Sequence, residues 1–104
     1  MYSCEKYIIQ VWRVHWDRRV EKQIDALPAH IVGSFYDWVR AVERDGMESV
    51  RRLPGYHDEG LKGELKGVRS VRLTKAYRVL YVESVDGNLK IAYVTRVSKH
   101  DYEK

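Results

Sequence analysis

Residues Leu61 to Tyr81 read LKGELKGVRSVRLTKAYRVLY. Two β-type runs lie in or across this stretch, Val68–Leu73 and Tyr77–Ser84, with a hairpin near Thr74–Ala76 between them. Glycines 63 and 67 mark the turn before them. If the hairpin is centred on Lys75, Arg72 and Arg78 lie directly opposite each other. Like charges so placed destabilise a sheet, and arginines on a half-buried face are costly unless an anion sits between them. The segment is therefore a candidate phosphate-binding surface, and RNA or DNA is the first partner to consider.

Outward from this hairpin, Asp86-Gly87-Asn88 joins the second run to a third strand, Leu89–Ser98. Upstream, Met47–Gly67 carries Pro54 and four glycines and reads as a turn-rich loop with room for a brief helical turn. Before it, Ile31, Phe35, Trp38, Val39 and Val42 form one stripe at helical spacing, stopped at Gly46. A shorter helix carries Val20, Ile24 and Leu27 behind Asp17 as N-cap, and Pro28 closes it. Tyr7–Trp16 alternates as a β-strand rich in β-branched and aromatic residues. The order is β-α-α-β-β-β, an α+β domain with two helices on one face of an antiparallel sheet.

Strand parity separates the two faces. Val71, Leu73, Tyr77, Val79, Tyr81, Leu89, Ile91 and Tyr93 are odd-numbered and are expected under the helices. Ser70, Arg72, Arg78, Leu80, Val82, Lys90, Ala92, Val94 and Arg96 are even-numbered and are expected on the opposite face.

At 104 residues the chain is long enough for one modest core and too short for two. Hydrophobic residues make up 44% and charged residues 33%, the composition of a soluble globule rather than of a disordered tail. The net charge of +4 is concentrated: Arg51 to Arg78 holds eight Lys or Arg against three acids, so the rest of the chain sums to −1. Cys4, the single cysteine, excludes an internal disulfide framework and a multi-cysteine metal site, and suits a reducing compartment. His15, His30 and His57 have no ligand spacing, so no metal or cofactor is expected. Tyr7–Trp16 is too short for a membrane span and does not resemble a signal peptide, which makes the cytoplasm the default location.

An arginine cluster can stabilise the charge that builds on a phosphorus under attack. Ribonuclease chemistry also needs proton transfer from the 2′-OH and to the leaving 5′-oxygen. His100 and Tyr102 follow the last strand with the parity of the arginine face, and Glu59 stands in the loop entering the basic segment.

These residues resemble the RelE/ParE superfamily of bacterial toxins, and within it the RelE- and HigB-like mRNA interferases of type II toxin–antitoxin systems. The resemblance is carried by residues 59–102, and most specifically by Tyr77-Arg78-Val79-Leu80-Tyr81, similar to the family's "YRLVY"-type strand. It implies a compact microbial-ribonuclease-like domain in which Arg78 contacts the scissile phosphate. Ser70-Val71-Arg72-Leu73 falls where the family has a "KIKL"-type strand, so Arg72 replaces one catalytic lysine and Ser70 the other. Arginine is a poor general acid, which leaves Arg72 a charge-holding role. Some members use instead a carboxylate before "LK", a C-terminal histidine and a terminal aromatic. Glu59, His100 and Tyr102 fit these positions, with His100 as general acid and Glu59 or Tyr102 as base. Lys62, Lys66, Arg69, Lys75 and Arg96 are then expected to hold ribosomal RNA without reading bases. The partners implied are mRNA, the ribosome and a cognate antitoxin. Two other classes stay open: a ParE-type toxin of the same fold acting on DNA gyrase without nuclease chemistry, and a non-catalytic basic RNA-binding domain.

Overall fold

The computed structural model describes residues 11–99; Cys4, the start of the first expected strand, His100 and Tyr102 lie outside the described residues. The chain runs β1 (Val11–Trp16), α1 (Arg18–Asp25), α2 (Ala29–Asp45), α3 (Met47–Arg51), β2 (Glu59–Gly60), β3 (Arg69–Arg72), β4 (Tyr77–Asp86) and β5 (Leu89–Lys99). Single 3-10 turns at Pro54–Tyr56 and Gly63–Leu65 punctuate the loop expected from its glycines and proline. That loop also contributes α3 and the two-residue β2, both too short for a periodicity argument to detect.

Asp17 caps α1 as expected, its Oδ1 accepting from the Val20 N–H at 3.0 Å. The α2 stripe of Ile31, Phe35, Trp38, Val39 and Val42 is wholly buried. Gly46 ends the helix with φ 88° and ψ 150°, a conformation open to glycine and strained for any residue with a Cβ.

The sheet order is β1-β5-β4-β3-β2. The hairpins β3–β4 and β4–β5 and the short pair β2–β3 are antiparallel, whereas β1 pairs with β5 in parallel. This departs from the all-antiparallel expectation. A parallel pair needs a long crossover, and here the helical layer supplies it between β1 and the rest of the sheet. Two side-chain ties hold that layer down. Glu43 Oε2 on α2 accepts from the Val14 N–H at 3.0 Å, and Gln23 Oε1 on α1 accepts from the Val97 N–H at 2.8 Å.

Arg72 and Arg78 are paired in the β3–β4 ladder, as the hairpin centred on Lys75 requires. Parity holds in the middle of β3 and β4, where Val71, Val79 and Tyr81 are buried in the core, but Tyr77, expected there too, stays partly exposed at the start of β4. It fails in the first part of β5. Tyr81 pairs with Val94 but Leu80 with Arg96, so Thr95 is an extra, bulged residue whose hydroxyl donates to the Leu80 carbonyl at 3.3 Å. Before the bulge the even residues Ala92 and Val94 enter the core, and Lys90 lies over the Trp12 ring at 5.5 Å. Leu89, Ile91 and Tyr93 are thereby excluded from the core positions expected for them, and each stays partly exposed. After the bulge, Val97 is buried opposite Val79, and Arg96 returns to the same face as Leu80 and Arg78. One inserted residue thus keeps Arg96 on the basic face while Ala92 and Val94 fill the core.

Gly46→Ala tests the strained helix stop. A Cβ there meets Trp12 at an ordinary 3.6 Å, so the cost is backbone strain alone. The variant is expected to lose about 1–3 kcal/mol in urea unfolding, with an unchanged m-value.

Candidate functional site

On the sheet face away from the helices, the middle of β3 and β4 is polar. Ser70 is almost wholly buried there, and Arg78 Nη1 donates to its Oγ at 3.2 Å. The Arg78 side chain is 14% exposed, and the same Nη1 lies 3.9 Å from Glu59 Oε2. Its Nε is buried with no hydrogen-bond partner among the described residues. Glu59 comes to this position because β2 pairs with β3 in the register Glu59 to Ser70. Leu61 and Leu65 form one wall, and Arg96, Ser98 and Lys99 of β5 the other. Together they line an open cleft of about 440 Å³ with one carboxylate and three cations.

The other expected residues distribute unevenly about this cleft. Arg72, although opposite Arg78 in the ladder, lines a second groove of about 420 Å³ with Ser34, Asp37, Gly55 and Tyr56. Its Nε is also buried without a hydrogen-bond partner among the described residues. Lys62 and Lys66 are exposed around the Gly63–Leu65 turn, and Lys75 is exposed at the tip of the β3–β4 hairpin. Arg69 is turned to the opposite face of the sheet, where its guanidinium is tied to a carboxylate.

That carboxylate is Asp58, whose side chain is only 1% exposed. Its Oδ1 accepts from Arg69 Nε at 2.6 Å and lies 3.7 Å from Arg51 Nε. Its Oδ2 accepts from the Tyr81 hydroxyl at 2.6 Å. Arg51 also donates to the Tyr81 oxygen at 3.3 Å and pairs with Glu83. Burial pushes the Tyr81 phenol far above its ordinary range, and the hydrogen bond to Asp58 reinforces the shift against the opposing pull of Arg51. The network clamps the loop before β2 onto the sheet and so sets where Glu59 emerges. Sequence reasoning missed it, although a signal was present: Arg69 shares odd parity with Val71, and a cation on the core side demands a buried anion.

Sequence reasoning also passed over His57. Its Nε2 lies 3.5 Å from Glu59 Oε1, on the other side of the carboxylate from Arg78. Its backbone is left-handed, with φ 46° and ψ 51°, the one positive φ at a non-glycine among the described residues.

No protein-family model and no curated protein sequence matches the chain. Solved structures do. An archaeal RelE–RelB complex from Pyrococcus horikoshii OT3 aligns with a TM-score of 0.66 at 23% identity, over 89% of this chain and 99% of the other. A YoeB/ParE toxin from Agrobacterium tumefaciens gives 0.64 at 22% identity, over 85% and 98%. The toxin–antitoxin complex RelBE2 from Mycobacterium tuberculosis gives 0.62 at 21%, over 86% and 99%. The chain therefore has the RelE-like toxin fold, the fold shared by proteins of the RelE/ParE superfamily. These toxins are matched along nearly their whole length, so the likeness includes the helical layer as well as the basic hairpin.

Tyr81→Phe isolates the hydrogen bond to the buried carboxylate. It is expected to lower stability by about 1.5–3 kcal/mol near neutral pH, measured by denaturant unfolding. The pH dependence has a definite sign. A phenol that stays protonated in the fold stabilises fully while the unfolded chain's tyrosine is also protonated, and loses that advantage once the latter ionises. Wild-type stability should therefore fall above about pH 10, by up to about 1.4 kcal/mol per pH unit. The same slope should be shallower in Tyr81→Phe.

Proposed function

We propose that this protein is the toxin of a type II toxin–antitoxin module, an endoribonuclease that cleaves mRNA on the ribosome without a metal. The observation that carries the reading is the cleft in which Glu59, Ser70 and Arg78 meet beside Arg96 and Lys99. It juxtaposes a base-type carboxylate with a largely buried permanent cation, the two components that metal-free attack by a 2′-hydroxyl requires. The RelE-like fold supports the same reading.

In the reaction, Glu59 accepts the 2′-OH proton as the 2′-oxygen bonds to phosphorus. The P–O5′ bond breaks, and the leaving 5′-oxygen takes a proton, for which His100 is the assigned acid. The products are a 2′,3′-cyclic phosphate and a 5′-OH. Arg78 neutralises the charge that develops on the phosphoryl oxygens, held in place by Ser70 from below and Glu59 from the side. Tyr102 is the alternative base, and Arg72 contributes charge from the neighbouring groove. Arg96 lies close enough to the cleft to bind the chain flanking the cut. Lys62, Lys66 and Lys75 form the outer basic contacts with ribosomal RNA, and Arg69 serves from the Asp58 network as support for the loop. The partner is a cognate antitoxin that masks this face until it is removed, and the compartment is the cytoplasm, where ribosomes are.

Added to a reconstituted translation reaction, the wild-type chain should create new mRNA 5′ ends inside codons at the ribosomal A site. Arg78→Ala should reduce their rate of appearance by about 10²–10³-fold with the fold intact by circular dichroism. Intact mRNA with wild-type protein would sink the nuclease reading; inhibited gyrase supercoiling in a parallel assay would replace it with the ParE-type one.

A further inference from the structure

The tripeptide His57-Asp58-Glu59 is built as a unit. Asp58 is turned inward and locked by Arg69 and Tyr81, which fixes the backbone on both sides of it. His57 is held in a left-handed conformation that residues other than glycine adopt uncommonly. Such strain persists where the surroundings over-determine it, and it concentrates at functional sites. Its effect here is specific. It turns the imidazole toward Glu59, two residues on, leaving Nε2 3.5 Å from Oε1 while Oε2 faces Arg78 at 3.9 Å. The carboxylate is thus bracketed, one oxygen toward each partner. Both His57 and Glu59 are about half exposed, so without a partner Glu59 would be free to swing into solvent.

We propose that His57 is a positioning residue for Glu59: its imidazole, with Nε2 beside Oε1, keeps the carboxylate turned so that Oε2 is presented to the cleft beside Arg78, ready to accept a proton from the substrate hydroxyl. This rests on the nuclease reading above and assigns a role within it that the sequence motif did not contain. His57 lies on the same side of the site as the base, so it does not protonate the leaving group, which departs in line on the far side of the phosphorus. Among the described residues, the other charges lining the cleft with Glu59 are Arg78 from β4 and Arg96 and Lys99 from β5. Asp58, the adjacent acid, is already neutralised by Arg69 and Arg51.

The test uses the full chain on programmed ribosomes, with cleavage rate constants at saturation and half-saturation concentrations for four variants. His57→Gly removes the imidazole and suits the left-handed backbone, so its thermal midpoint should equal or exceed the wild type's. Its saturated rate should fall about tenfold with the half-saturation concentration within twofold. His57→Gln, which keeps a donor at similar reach, should recover most of the loss. Glu59→Gln should cost about 10²-fold, and adding His57→Gly to it should cost nothing more, because the residue acts through a carboxylate no longer there. An unchanged rate in His57→Gly, or an equal tenfold loss in the Glu59→Gln background, would overturn the proposal while wild-type cleavage left the nuclease reading standing. Absence of wild-type cleavage would remove both.

Discussion

A carboxylate taken almost entirely out of water organises this protein. Asp58 survives burial because Arg69, Arg51 and the Tyr81 hydroxyl converge on its two oxygens. Removing one partner from such a group costs more than the contact is worth, since the remaining charges stay buried without compensation. The network joins α3, the loop before β2, β3 and β4 at one point. It fastens an irregular, glycine-rich segment to the edge of the sheet. Tyr81 adds its ring to the core against Trp38 while its oxygen serves the network, so the apolar and polar halves of the structure meet in one side chain.

The same network separates structural from reactive charge. Asp58 and Glu59 are neighbours in sequence but extend to opposite sides of the short β2, one into the support and one into the cleft. Arg69 and Arg78 divide similarly across the β3–β4 pair. On the helix side, Arg69 and Arg51 are tied to Asp58. Among the described residues that line the cleft, Arg78, Arg96 and Lys99 outnumber the one acid, Glu59. An excess of this kind on one face favours a polyanion, the substrate class of the function proposed above.

The fold is shared with RelE-type toxins at identities of 21–23% in the structures compared. At that distance the likeness is one of architecture, and individual side chains are free to differ. Ser70 and Arg72 stand where the resemblance leads one to expect lysines. Ser70 has become the buried hydrogen-bond acceptor beneath Arg78, and Arg72 is drawn into the neighbouring groove. On the nuclease reading proposed above, proton transfer falls to groups outside the hairpin, and the His57-Asp58-Glu59 segment is where the described residues offer them.

The hairpin was legible in the sequence because its register depends on local rules. Alternation of apolar and polar residues, a turn centred on Lys75 and the arginine at each end suffice to pair Arg72 with Arg78. The α2 stripe and the Asp17 cap were equally readable, since helical spacing and capping are properties of contiguous residues. What the sequence could not disclose were choices made between distant segments. The bulge at Thr95 reverses parity along β5, and alternation alone offers no sign of an extra residue in a strand. The two residues of β2 acquire their register from β3, and the parallel seating of β1 on β5 depends on the helical crossover. The site is divided in the same way. Arg78 and Glu59 could be singled out as candidates by type and position, but their approach, the inward turn of Asp58 and the reach of His57 toward Glu59 come from a buried charge satisfied by residues 11 and 23 positions away. Local propensity is written residue by residue, whereas the burial of a charge is decided only when the whole chain has closed around it.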